Sequence, residues 1–174
     1  MKFGTVQRIG SKAKKHLQMD KFEIKQGNLD KIDLIKPLWE KLNKLHYDLS
    51  PHFKNRFKNM DWDKRKHKLI KKSKDILFEY AIDVKNKMVV GYCISTIDKE
   101  DNKTGEIDSI YIDEAYRKLG LGKQFIDRAI LWLKSKETET QKLLVSVGNE
   151  QVLDFYKQFG FYPLHIILQR VEKE

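Results

Sequence analysis

The sequence is short of the residues that make covalent or metallic staples. It has one cysteine, Cys93, so no disulfide can form within the chain. Cys93 sits in the strand-like run Val89–Ile97 and reads as a small buried hydrophobe. No histidine and cysteine spacing suits a metal, and no metal is expected. No apolar run approaches the ~20 residues of a membrane span, so no membrane partner is expected. Residues 1–18 lack acidic residues and lack a long hydrophobic segment, which argues against a secretory signal. They are basic enough for an organellar presequence but contain a single serine. The expected location is cytoplasmic. Two phosphate-binding fingerprints are also missing. No G-x-x-x-x-G-K-[ST] occurs, and G-x-G-x-x-G fails because position 125 is Phe. There are no repeats, low-complexity blocks or Ser/Pro-rich linkers.

What is present fits one soluble domain. The chain has 174 residues, 40% of them hydrophobic, enough to bury a core. The expected domain spans 19–174, with 1–18 as a basic extension. The net charge of +10 is uneven. Residues 1–18 carry Lys2, Arg8, Lys12, Lys14 and Lys15 with no acid, and residues 52–74 carry ten Lys/Arg against Asp61 and Asp63. The remainder is mildly acidic.

The stretch Glu106–Ser135 organises the rest. Ile107, Ile110, Tyr111 and Ile112 make Glu106–Ile112 β-prone. From near Lys123, Phe125, Ile126, Ala129, Ile130 and Leu133 recur at helical spacing. Between them lies Arg117-Lys118-Leu119-Gly120-Leu121-Gly122-Lys123. Such a turn can be no more than a turn. It can also be a pyrophosphate site, because helix N-termini present unpaired N–H groups and glycines allow close approach. The order strand, basic glycine turn, helix favours the second reading.

Arg117-x-x-Gly120-x-Gly122 after a strand resembles the coenzyme A loop of the GCN5-related N-acetyltransferases. Downstream, the strand Leu143–Val147, then Asn149, Tyr156 and Gly160-Phe161, is similar to that family's second signature. The resemblance covers about residues 20–171 and is strongest over 106–162. It implies acetyl-CoA as cosubstrate and an amine-bearing acceptor. It further implies main-chain contacts from Ile110, Tyr111 and Ile112, and pyrophosphate binding by the loop from Arg117 through Lys118, Leu119, Gly120, Leu121 and Gly122 to Lys123. The Leu119 side chain, larger than is usual there, is expected to point away.

Taken in order, the chain predicts a strand at Lys21–Lys25 and a helix over Asp30–Tyr47, with Pro37 near the start of its main part. A basic helix follows over Asp61–Ser73, capped by Asn59 or Asp61, with a thin stripe of Trp62, Leu69 and Ile70. Ile76–Asp83 and Met88–Ile97 form a hairpin through Val84–Lys87. After the central strand and helix come a strand at Lys142–Val147, expected to be buried on both faces, and a helix at Glu150–Phe159 stopped by Gly160. A final strand is expected at Leu164–Val171. The order β-α-α-β-β-β-α-β-α-β is an α/β class, a twisted mixed sheet flanked by helices.

Amide formation needs a base for the amine, donors for the oxyanion and a proton for the leaving thiolate. Glu106 and Asp108 lie two apart, on one face of a regular strand. The resemblance favours Glu106 as base, with Asp108 second. Either carboxylate can instead be a surface residue. Tyr156 is the acid that the resemblance implies, near the cofactor sulfur, and otherwise a half-buried aromatic. Asn149 either binds the pantetheine arm or caps the last helix. Trp39, His46, Tyr47 and Phe53, around the break after the first helix, are core residues singly. The resemblance makes them a wall of the acceptor site. Glu40, Asp48, Glu79, Glu106 and Asp108 would suit a basic acceptor if they converge. The alternative is a non-catalytic module that binds acyl-CoA or an acidic partner through the basic second helix. Nucleic acid is disfavoured, because the aromatics there are not interleaved for stacking. Monomer and homodimer both remain open.

Overall fold

Residues 21–171 are described in this structure, a computed structural model. The basic segment 1–18 lies outside them. The first strand, β1, is Phe22–Gly27. A 3-10 turn, Leu29–Ile35, buries Ile32 and Ile35 and leads into helix α1, Lys36–Leu49. Pro37 falls in the first turn of α1, where its missing N–H has no helical partner to lose. A short helix absent from the sequence reading, α2 (Lys54–Lys58), follows. Helix α3 is Trp62–Lys72, and the Asp61 carboxylate caps it by accepting the Lys64 N–H at 2.8 Å. Ile70, expected in its apolar stripe, is exposed.

Strands β2 (Ser73–Asp83), β3 (Val89–Asp98) and β4 (Thr104–Ile112) form the antiparallel centre. Helix α4 (Leu121–Ser135) crosses over to β5 (Thr140–Leu143), which pairs parallel to β4. The sheet order is β1-β2-β3-β4-β5. A last helix, α5 (Leu153–Lys157), follows a 3-10 turn at Glu150–Val152. The mixed sheet with helices on both faces is the class the sequence predicts.

Two layers of core hold these helices. One face of the sheet meets α1 and α3 through Trp39, Trp62, Leu69, Phe78, Tyr92 and Ile94. The other meets α4 and α5 through Phe22, Ala81, Cys93, Ile107 and the α4 stripe. That stripe is Leu121, Phe125, Ile126, Ala129 and Leu133, each at most 1% exposed. A side chain of the size of Leu, Ile or Phe contributes roughly 1.5–3 kcal/mol when buried in this way. Cys93 is buried as expected, and burial beside Glu79 pushes its thiol pKa up, so it is unreactive packing.

Two expectations are corrected. β5 ends at Leu143 rather than Val147, and the following Leu144 and Val147 are 80% and 62% exposed. The apolar run suggested an interior strand, but among the described residues β5 is the sheet edge and has no neighbour on its outer flank. Leu164–Val171 forms no strand. Its composition is β-prone, yet it meets no partner strand among the described residues.

Candidate active site

The site is built where β4 loses β5. The parallel pairing ends at Ile107 opposite Leu143. On the other side of β4 the register slips: Ser95 faces Ile107 and Ile94 faces Ser109, which leaves Asp108 as an extra residue. This is a β-bulge, and it re-aims side chains locally. Ser109 Oγ lies 2.8 Å from the Tyr92 hydroxyl, on the same sheet face as the cations that hold Asp108. From Asp108 to Ile112, β4 therefore runs on with backbone groups facing a fork rather than a strand. The main chain of Ile110, Tyr111 and Ile112 lies along that fork. Ile110 and Ile112 pack their side chains on the α4 side, and Tyr111 packs on the α1 side.

The basic glycine turn stands at the far end of β4. Gly120 has φ +82° and occupies the N-cap of α4, with no side-chain cap. A Cβ added there would meet nothing within 4 Å. The backbone thus has open space in front of it, and the N–H groups of Leu121, Gly122 and Lys123 have no carbonyl a turn earlier within the helix. The geometry suits a pyrophosphate. Gly122 lies against Ile112 and Phe155, whose atoms would come within 3.2 and 3.3 Å of an added Cβ. Leu119 packs on the core and Leu121 is buried within it, so each offers only its backbone to the loop. Arg117 Nε donates to the Ile112 carbonyl at 3.1 Å, and its guanidinium lies over the Tyr111 ring. Lys118 is exposed with φ +60°. Lys123 turns along α4 to Asp127 at 2.7 Å. Arg117 and Lys118 are therefore the charges nearer the turn.

Asp108 and Glu106 do share a face, and α3 brings two cations to them. Arg65 is ion-paired with Asp108, whose side chain is 3% exposed. Lys72 Nζ is 2.6 Å from Asp108 and 3.6 Å from Glu106. Asp108 is thus tightly held and Glu106 is the freer carboxylate. The sequence reading missed Arg65 and Lys72. Their signal was the density of basic residues on a helix that the fold lays across the sheet. Asp108→Ala should cost about 2 kcal/mol, because it leaves the largely buried Arg65 without this counter-charge and Lys72 with only the more distant Glu106. Calorimetry should show Tm lower by about 6 °C. An unchanged Tm would refute the clamp.

The remaining carboxylates do not converge. Glu79 is buried on the α4 side of the sheet and paired with Arg128 at 2.6 Å. Asp48 pairs with Lys44 on the surface. Glu40 lines a separate open cavity of about 450 Å³ between α1 and the α2–α3 junction. The five carboxylates therefore do not gather into one acidic cleft. Much of the basic face of α3 is also consumed internally: Lys64 pairs with Asp61, Lys66 with Asp33, and Arg65 and Lys72 with the strand carboxylates.

Asn149 precedes the 3-10 turn but makes no side-chain cap bond. Its Oδ1 accepts from Gln151 at 2.7 Å, which leaves the amide nitrogen without a partner among the described residues. Tyr156 is half-buried against the α4-side core, and burial pushes its phenol up to about 12. No hydrogen bond holds its hydroxyl among the described residues. Gly148, with φ +92°, was not foreseen as a site residue. A Cβ there would lie 2.3 Å from the Leu49 carbonyl, so the β5–α5 loop presses directly on the end of α1. That contact places the α1–α2 connection beside the fork.

The four acceptor-wall candidates separate. Trp39 is core, its ring tilted against that of Trp62 with centroids 5.4 Å apart, and borders the 450 Å³ cavity together with Tyr47. His46 packs on Phe57 at 5.5 Å, and burial lowers its pKa. Phe53 precedes α2, and its N–H donates to Ser50 Oγ at 3.1 Å.

A forked mixed sheet, with an uncapped glycine-headed helix running from its central strand, defines an α/β fold that presents free helix N–H groups beside a split in the sheet. Residues 39–161 match the acetyltransferase (GNAT) family, and the chain belongs to it. Acetyl transfer is that family's general activity. Over 74 residues the chain is 32% identical to an uncharacterized N-acetyltransferase of Methanocaldococcus jannaschii, a match covering 42% of this chain and 32% of that protein. The aligned part thus spans about a third of that relative. Among solved structures, an acetyltransferase of Trypanosoma brucei superposes with TM-score 0.59 at 20% identity, over 87% of this chain and 99% of that one. An aminoglycoside acetyltransferase from an uncultured soil metagenomic sample, in complex with trehalose, gives 0.60 at 16%, over 89% and 97%. Glucosamine-6-phosphate N-acetyltransferase of Arabidopsis thaliana gives 0.56 at 16%, over 87% and 99%. At these identities the structural likeness is one of fold. No helix among the described residues is long and apolar enough to cross a membrane.

Proposed function

We propose that this chain transfers the acetyl group of acetyl-CoA directly to a primary amine of a small molecule or peptide, within a ternary complex. One observation carries the reading. The strand that loses its neighbour at Asp108 is the strand that runs into the open, uncapped N-terminus of α4. Bound acetyl-CoA would supply a thioester carbonyl that an amine can attack.

The residues then divide the work. The N–H groups at the start of α4, with Arg117 and Lys118, hold the pyrophosphate. The amide nitrogen of Asn149 is free to orient the pantetheine arm. Backbone donors of Ile110–Ile112 facing the fork stabilise an oxyanion. Glu106 accepts the proton of the incoming ammonium. It stands two residues short of the fork, so the transfer runs through water. Tyr156 donates to the departing thiolate. The acceptor enters beside the α1–α2 connection, past Tyr47 and Phe53. Because Arg65 and Lys72 neutralise the strand carboxylates, a polycationic acceptor gains little there, and a monoamine or an N-terminal amine fits better.

The test is release of free thiol from acetyl-CoA across a panel of amines and peptides, after calorimetry of acetyl-CoA itself. Saturable binding and amine-dependent thiol release are expected. Failure to bind either acetyl-CoA or free CoA would end this reading.

Tyr156→Phe should lower kcat by about a hundredfold and leave acetyl-CoA binding unchanged. With its pKa raised to about 12 by burial, the phenol stays protonated throughout the working range. The kcat profile should therefore show no basic limb from Tyr156 below about pH 10. The sign for stability follows from the same shift. The unfolded phenol ionises from about pH 10, before the folded one, so stability from this site falls as pH rises from there toward 12. Wild-type turnover in the Phe variant would remove Tyr156 from the mechanism.

A further inference from the structure

Asp83, the last residue of β2, is 2% exposed, and its carboxylate makes one hydrogen bond more than its own turn explains. Its Oδ1 accepts the N–H groups of Lys85 and Asn86, each at 2.8 Å. Its Oδ2 accepts the Asn86 side-chain amide at 3.0 Å. These three bonds close the β2–β3 hairpin. A carboxylate has about four acceptor positions. The fourth bond comes from the hydroxyl of Tyr116, thirty-three positions further on. The Tyr116 ring packs on the α4-side core, with Lys21 Nζ 4.9 Å from its centroid.

Tyr116 immediately precedes Arg117, so it stands at the entry to the basic glycine turn. The main-chain hydrogen bonds of residues 114–120 are local. The Tyr116 N–H donates to the Asp113 carbonyl at 2.8 Å, and the Arg117 N–H donates to that of Glu114 at 3.2 Å. The Gly120 carbonyl accepts from Gln124 at 3.2 Å. Arg117 adds a bond back to β4 itself, at Ile112. Bonds of this kind shape a turn without fixing it to the rest of the sheet. At the far end of the turn, Leu119 packs on the core and Leu121 is buried within it. At the near end, the Tyr116 hydroxyl reaches past β3 to Asp83 on β2, two strands from β4. Arg117, Lys118 and Gly120 thus lie between an apolar anchor and a polar one.

We infer that Tyr116 is a positioning residue: its hydroxyl, fixed by Asp83, holds the basic glycine turn in the conformation that takes a pyrophosphate, given that this turn binds acetyl-CoA as proposed above. The apolar core needs only the ring, and a phenylalanine would pack there as well. What the hydroxyl adds is direction, because a hydrogen bond prefers one distance and one line of approach. That bond sets the depth of the ring and, through it, the backbone leading into Arg117. A turn already held in its binding conformation loses less freedom when the ligand arrives, so it binds more tightly. Without the phenol, Asp83 keeps three donors and the hairpin stays closed. Loss of the hydroxyl should therefore cost the fold little and the ligand more.

The test is calorimetry of acetyl-CoA and of S-acetylpantetheine, which has the thioester and the arm but no pyrophosphate. It is run on wild type, Tyr116→Phe and Asn86→Ala, with hydrogen exchange on the unliganded proteins. Asn86→Ala is the control, because it removes a donor from the same Asp83 oxygen but lies outside the turn. Tyr116→Phe should weaken acetyl-CoA binding about tenfold, keep S-acetylpantetheine within about twofold, and lower Tm by no more than about 3 °C. Its amides at 114–120 should exchange faster, with those at 125–133 unchanged. Asn86→Ala should keep the wild-type Kd for both ligands. With wild type binding acetyl-CoA, an unchanged Kd in the Phe variant overturns the inference and leaves the cofactor site standing. So does an equal loss for both ligands, or the same loss in the control. Unchanged exchange at 114–120 overturns it whatever the Kd values. A Phe variant that does not fold does so too, because the bond is then a folding contact. Wild type that binds neither ligand ends the reading of the turn itself, and the role of Tyr116 with it.

Discussion

Glu106→Gln is expected to lower kcat by about a thousandfold and to move the KM for acetyl-CoA by less than about twofold. Gln keeps the size of the side chain and can still accept a hydrogen bond, but it cannot take a proton at working pH. The backbone gives no reason for a wider effect, because position 106 is held in register by Thr96 on one side and Lys142 on the other. The basic glycine turn proposed to hold the cofactor lies at the other end of the strand. Removing a proton acceptor that acts only in the transition state lowers kcat and kcat/KM together. Asp108 offers the contrast. Bound by Arg65 and Lys72, it stabilises the fold, and its loss should appear in Tm before it appears in kcat. Steady-state thiol release over pH 5–9, with Tm measured on each variant, separates the two roles. A full wild-type kcat in the Gln variant would remove Glu106 as the base.

Gly120→Glu should weaken acetyl-CoA binding by at least about a hundredfold while leaving the fold intact. Three effects act together. The carboxylate occupies the open space in front of Gly120, where nothing lies within 4 Å. It can accept the unpaired N–H groups of the α4 first turn, competing with the pyrophosphate for the same donors. Its charge repels the ligand. The backbone conformation adds a smaller penalty, because φ +82° costs a non-glycine residue about 1–2 kcal/mol. Gly120→Ala carries that conformational cost without the charge, so it measures the strain alone. Wild type held at a hundred times its Kd should gain about 2.7 kcal/mol of stability from acetyl-CoA, and the Glu variant essentially none. Equal thermal shifts in wild type and Glu variant would take the pyrophosphate away from this loop.

Much of the fold was legible because its signals are local. The helical spacing of Phe125, Ile126, Ala129 and Leu133 depends only on residues within one segment, and those residues do form the buried stripe of α4. Pro37, Asp61, the 84–87 turn and Gly160 act on their immediate backbone, and each stands at or beside the element end it was read to mark. The basic glycine turn between strand and helix was equally local. Its open geometry at Gly120 follows from one residue without a Cβ and one helix without a cap.

Everything that depends on what meets a segment across space was decided by the tertiary structure. Glu106 and Asp108 look alike in the chain, but α3 lays Arg65 and Lys72 over them unequally, which leaves Glu106 freer than Asp108. Glu79 looked available for an acceptor and is instead buried against Arg128. Gly148 carried no signal, because its need for a missing Cβ arises from the carbonyl of Leu49, ninety-nine positions away. The runs at 142–147 and 164–171 are both apolar and β-prone, yet the first is half an edge strand and the second pairs with no strand among the described residues. An apolar pattern states what a segment would gain from burial. Only the arrangement of the other elements determines whether a partner surface is within reach.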